Sequence, residues 1–125
     1  MVPAAMPQAN GTADAYAGAR SFLVGSRVAP AFAARAIARI EAEDGELGLS
    51  FLATPMRALI RELREESEDA AAWAALLAQR LDHDGGDAAT RRRARAMLVT
   101  ATQRACEADA IIGALSRLLI GKDRR

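Results

Sequence analysis

The chain has 125 residues, 51% of them apolar, with 17 basic and 16 acidic residues and a net charge of +1. That apolar share excludes a disordered chain, and the balance of charge gives no global electrostatic ground for binding nucleic acid or an anionic membrane. The single cysteine, Cys106, excludes an intrachain disulfide and fits a reducing, cytoplasmic setting.

The apolar residues are heavily alanine and only 4% of the chain is aromatic. Alanine has the highest helix propensity and buries little area. This composition implies an all-α helical bundle whose helices pack closely, with a second subunit completing the burial as a homodimer. No apolar run approaches the ~20 residues of a membrane span, so no membrane partner is expected.

Residues 1–18 are small and interrupted by Pro, Gly and Asn, and read as a disordered arm without the basic start and apolar block of a signal peptide. Residues 19–121 read as one domain and 122–125 as a charged tail. Residues 19–28 fit either a short helix, a fourth in the bundle, or an extended lead-in. Pro30 is suited to a first helical turn, and Phe32, Ala33, Ala36, Ile37 and Ile40 follow at helical spacing, which predicts a helix over 30–43. Gly45 and Gly48 then allow two readings. The helix ends near Asp44, or it continues, weakened, to about Ala53.

The next helix spans 55–82. Thr54 is suited to its N-cap and Pro55 to its first position, and Asp84-Gly85-Gly86 follows it. Met56, Leu59, Leu63, Ala70, Leu77 and Leu81 form its apolar stripe. Asp87 is a natural N-cap for the last helix, 88–120, which Gly121 stops. That helix carries Ala94, Met97, Leu98, Ala101, Ala105, Ala108, Ile111, Ile112, Leu115, Leu118 and Leu119 on its stripe. So short a linker makes the two helices an antiparallel hairpin.

Two acidic groups carry the candidate chemistry. Glu62, Glu66 and Asp69 share one helical column with Glu65 beside it. Upstream lies Glu43-Asp44-Gly45-Glu46-Leu47. Glu-x-x-Glu at 43–46 and Glu-x-x-Asp at 66–69 are separated by 19 residues, 47–65. This pattern, with Glu65-Glu66-Ser67-Glu68-Asp69 before an apolar run, resembles the signature of the MazG-like all-α nucleoside triphosphate pyrophosphohydrolases over about residues 30–82. The resemblance implies an enzyme that cleaves a nucleoside triphosphate to the monophosphate and pyrophosphate. Glu43, Glu46, Glu66 and Asp69 would hold Mg²⁺, with Mn²⁺ as a substitute, and Glu65 or Glu62 would act as base. A helix continuing to Ala53 and turning at Thr54 brings Glu46 level with Arg61 or Glu62, and Glu43 with Arg64 or Glu65. A helix ending at Asp44 leaves the acid pairs apart.

A hairpin centred on His83–Asp87 sets Glu66 level with Arg104. Arg104 and Gln103, near Thr100, then either contact a nucleotide phosphate or, for Arg104, pair with Glu66. Against the enzyme stands a plainer reading. Arg57, Arg61 and Arg64 neutralise the acids on a solvated face, as in Arg61–Glu65, and the chain is a non-catalytic bundle that scaffolds or regulates by helix–helix contact.

Weaker candidates drop out. Asp82–Asp87 has a passing likeness to a calcium loop, but Arg93 stands at the twelfth position where a glutamate is needed. His83 is the only histidine, which excludes two Glu-x-x-His motifs. Arg91, Arg92, Arg93 and Arg95 crowd a helix start, against the dipole, but lack the aromatic neighbours of a nucleic-acid site, so nucleic acid is not an expected partner. Trp73 is expected in the core or at a subunit interface. Cys106 is expected in or near the core.

Overall fold

The computed structural model describes residues 16–46, 50–84 and 86–121, with the side chains of 44–46 and Ser50 outside that description. Residues 1–15 of the expected arm and the whole tail 122–125 also lie outside it. The fold is all-α, as the composition implies, with no strand among the described residues. No helix among them is long and apolar enough to cross a membrane. Where the sequence suggests a single domain over 19–121, the chain divides into two compact units, Met1–Thr54 and Pro55–Arg125.

The first unit holds α1 over residues 16–25, α2 over Pro30–Glu46 and a 3-10 turn at Ser50–Leu52. Residues 16–18, expected in the disordered arm, are helical. Tyr16 is buried, and its ring stacks on Phe51 with centroids 6.2 Å apart. An aromatic burial of this kind fixes the start of α1 where local composition alone favours disorder. The helix closes as Ser26 donates from its backbone to Phe22 and Arg27 turns into the left-handed region at φ 61°. Arg20 of α1 pairs with Glu41 of α2. The α2 helix outlasts Asp44 but stops short of Ala53. Gly45 is accommodated inside it, and the chain re-forms as a 3-10 turn at Ser50.

The second unit is a hairpin of two long helices, α3 over Met56–Asp84 and α4 over Ala88–Leu119. The expected bounds, 55–82 and 88–120, agree with these to within two residues. Asp87 caps α4 as its sequence position implies, its carboxylate accepting from the Thr90 backbone N–H at 2.8 Å. The helices run antiparallel, tied across the gap by Arg64–Asp109 at 2.9 Å and Arg95–Asp82 at 3.2 Å. Those pairs set the register about one turn beyond the expected one, so Glu66 lies near the level of Asp109 rather than Arg104.

The seam between α3 and α4 is built mainly of small side chains. Ser67, Ala71, Ala74 and Ala78 of α3 face Ala94, Leu98, Ala105 and Ala108 of α4, all buried or half-buried. Ile60, Ile112 and Ile120 close its open end as a buried cluster. Small residues let helix axes approach to about 8 Å, the near limit for packed helices. Close approach maximises dispersion contacts while leaving little apolar area to hide.

Candidate helical docking face

Helical geometry separates the two long edges of the hairpin. Arg64, Asp82, Arg95 and Asp109 mark one edge through their ion pairs. A shallow groove of about 200 Å³ lies along that edge, lined by Ala74, Ala75, Ala78, Leu98, Val99 and Gln103 among others. The opposite edge is formed by the next columns round each helix, spaced seven residues apart. On α3 these are Met56, Leu63, Ala70 and Leu77, flanked by Leu59, Glu66, Trp73 and Arg80. On α4 they are Met97, Arg104, Ile111 and Leu118.

This edge carries most of the hairpin's large exposed apolar side chains. Trp73 is 66% exposed, Met97 71%, Ile111 69% and Leu118 74%. Met56, Leu63 and Leu77 are about half exposed or more. The stripe anticipated on α3 as a core thus splits. Leu59 and Leu81 are half-buried, while Met56, Leu63, Ala70 and Leu77 stay outside. On α4, Met97, Ala101, Ile111, Leu118 and Leu119 of the expected stripe are likewise exposed. The register levels the two columns. Leu63 is level with Ile111, Leu77 with Met97, and Met56 with Leu118, so the large residues form a band along the edge that Ala70 and Arg104 break near its middle. An exposed apolar band with a polar rim is the pattern that interaction surfaces show.

The acids singled out from sequence sit elsewhere. Glu62, Glu65, Glu66, Glu68 and Asp69 are all exposed. Glu62 and Asp69 point directly away from the seam, and Glu66 lies on the apolar edge. Glu43 and Glu46 belong to the first unit and the other four proposed site acids to the second. Glu43 is exposed and pairs with Arg39 at 2.9 Å, and the Glu46 side chain lies outside the described residues. Among the described residues no three acids, histidines or cysteines gather as a metal site. Arg104 pairs with Glu107 of its own helix at 3.2 Å, not with Glu66. Two arginines cross the hairpin, Arg95 to Asp82 and Arg64, half-buried against Asp109. The Arg64 guanidinium lies over Gly113, whose missing side chain leaves room for it.

In the first unit, Tyr16, Ala19, Ile40, Glu43 and Phe51 line a cavity of about 310 Å³. Cys106, expected near the core, is exposed on α4. Trp73, expected in the core or at a subunit interface, lies outside its own unit's core. Periodicity could not rank the columns of so alanine-rich a pair of helices. Side-chain size is only a partial signal, because Met97, Ile111 and Leu118 share an exposed column spaced by seven while Leu98 and Ile112 share one that is half-buried to buried. Compared with known proteins, the chain matches no family model, no curated protein and no solved structure.

Proposed function

We propose that the chain is a non-catalytic interaction module, a scaffold or regulator that docks a helical partner on the apolar edge of the α3–α4 hairpin. One observation carries this reading. The bulky side chains Trp73, Met97, Ile111 and Leu118 are held in water while alanines fill the seam. Bulky apolar columns at seven-residue spacing match the stripe of another amphipathic helix. The expected homodimer is the simplest assembly of this type, and the lone Cys106 favours a cytoplasmic location.

Oxidative footprinting tests the docking. Met56 and Met97 sit on this edge and oxidise readily when exposed. Both are expected to be protected inside cells and to react in the dilute purified chain. Equal oxidation in the two settings sinks the reading.

A second reading is the Mg²⁺-dependent nucleoside triphosphate pyrophosphohydrolase, with a nucleotide as substrate. It is favoured by the acid column. Glu62, Glu65, Glu66 and Asp69 have no ion-pair partner among the described residues, and their exposed carboxylates are available to a cation. In this reading Glu43, Glu46, Glu66 and Asp69 are the ligands, Glu65 or Glu62 the base, and Arg104 with Gln103 the phosphate contacts. Mg²⁺ or Mn²⁺ should raise the melting temperature, and pyrophosphate should appear from a nucleoside triphosphate panel. No shift and no pyrophosphate eliminate it.

A further inference from the structure

We infer that the occupant of the apolar edge is a second copy of this chain, packed with α3 on the partner's α4 about a two-fold axis running along the helices. The inference rests on the reading of this edge as a docking surface.

Area is the first ground. Helices of 29 and 32 residues are about 45 Å long. Two of them side by side present a face about 20 Å wide, from axes about 8–10 Å apart. The face therefore offers about 800–900 Å², close to the roughly 800 Å² per partner of a stable interface. A single docked helix leaves much of that width in water. A second hairpin of the same width covers it.

Charge chooses the symmetry. Arg104 interrupts the apolar columns near mid-length, level with Ala70, and its ion pair is with Glu107 on the same exposed side of α4. An axis across the helices lays α4 on its own copy and brings the two Arg104 guanidiniums together near the middle. An axis along the helices keeps every residue at its own level. It sets Arg104 over the partner's α3, within about a turn of the partner's Glu66. Glu66, exposed and without an ion-pair partner among the described residues, then gains one, and so does its symmetry mate. The bulky columns meet in the same operation, Leu63 facing the partner's Ile111 and Leu77 the partner's Met97. The product is a four-helix bundle whose second layer of core is made by association.

The test uses the full chain. Sedimentation across a concentration series should show a dimer, and Leu63→Glu with Ile111→Glu should yield a monomer of unchanged helicity. Arg104→Glu should weaken self-association at least about tenfold, and Glu66→Arg added to it should restore most of the loss. Trp73, the only tryptophan, reads what covers the edge. A chain that stays monomeric with Trp73 open to acrylamide overturns the second copy and leaves the docking reading standing. A monomer with Trp73 shielded overturns both, because another part of the same chain then covers the edge. A dimer indifferent to Leu63→Glu and Ile111→Glu also overturns the inference.

Discussion

The seam of the hairpin and the edge beside it solve opposite problems with opposite side chains. The seam holds two helices together inside one chain, and alanine suits it because the linker already keeps the helices close. The edge instead carries Trp73, Met97, Ile111 and Leu118, exposed side chains that gain much more from leaving water. The difference teaches where stability is drawn from. The closed end of the seam supplies the unit's own stability, while the edge, under the proposed docking, would supply association.

The largest expected effect tests that division at the closed end. Ile112 is buried with Ile60 and Ile120, the bulkiest cluster inside the hairpin. Ile112→Ala is expected to cost about 2–4 kcal/mol by urea unfolding. Leu118→Ala, on the exposed edge of the same helix, should cost under about 0.5 kcal/mol at a concentration where the chain is monomeric. Equal costs would erase the contrast between the two regions.

Next comes the seam's tightness. Ala74 is 6% exposed and sits midway along α3. Ala74→Leu adds apolar volume at a buried seam position, and overpacking costs about 1–3 kcal/mol. Trp73, one position away and facing water, is expected to tolerate substitution in the monomer. A stabilised Ala74→Leu variant would falsify the close-packed seam.

The class of the fold and the limits of the hairpin were legible from residues. Pro55, Gly86 and Asp87 punctuate the helices where their chemistry requires, and Asp87 makes the cap its position implies. Three features were not legible. Alanine on nearly every column of 70–78 makes each column look apolar, so periodicity could not say which one faced inward. The register depended on Arg64 reaching Asp109, a contact 45 residues apart in sequence that i,i+4 reasoning does not reach. The start of α1 depended on Tyr16 meeting Phe51, again a long-range contact. For the acids, spacing alone supplied the metal hypothesis. The structure places Glu62 and Asp69 opposite the seam and Glu66 on the apolar edge, a distinction that helical angle yields only once the seam is known.

A smaller effect sharpens the ion-paired edge. Gly113 lies inside α4, where glycine costs about 1 kcal/mol against alanine. A methyl group there meets the Arg64 guanidinium at 3.0 Å, and that contact is the far end of a flexible side chain. Gly113→Ala is therefore expected to stabilise the hairpin by up to about 1 kcal/mol, with Arg64 shifting on Asp109. The half-exposed pair itself contributes only about 0.2–1 kcal/mol, so its loosening does not reverse the sign. A destabilised Gly113→Ala variant means that Arg64 is held more firmly than a surface pair should be.

The smallest expected effect lies at the turn, where both regions begin. Hydrogen bonds from the Thr90 hydroxyl, and then from its backbone N–H, hold the Asp87 carboxyl below its ordinary value of 3.8. A lowered value in the folded chain means that the cap's contribution is complete above about pH 4 and lost as pH falls through the folded value. Asp87→Ala should lower the melting temperature slightly at pH 7, and the gap to wild type should narrow as pH falls below about 4. Asp87→Asn keeps an acceptor and should remove that narrowing. Ala74 and Ile112 carry no titratable group, so their variants should keep the same gap across that range. A gap for Asp87→Ala that stays constant at every pH below about 4 means that the cap acts without its charge.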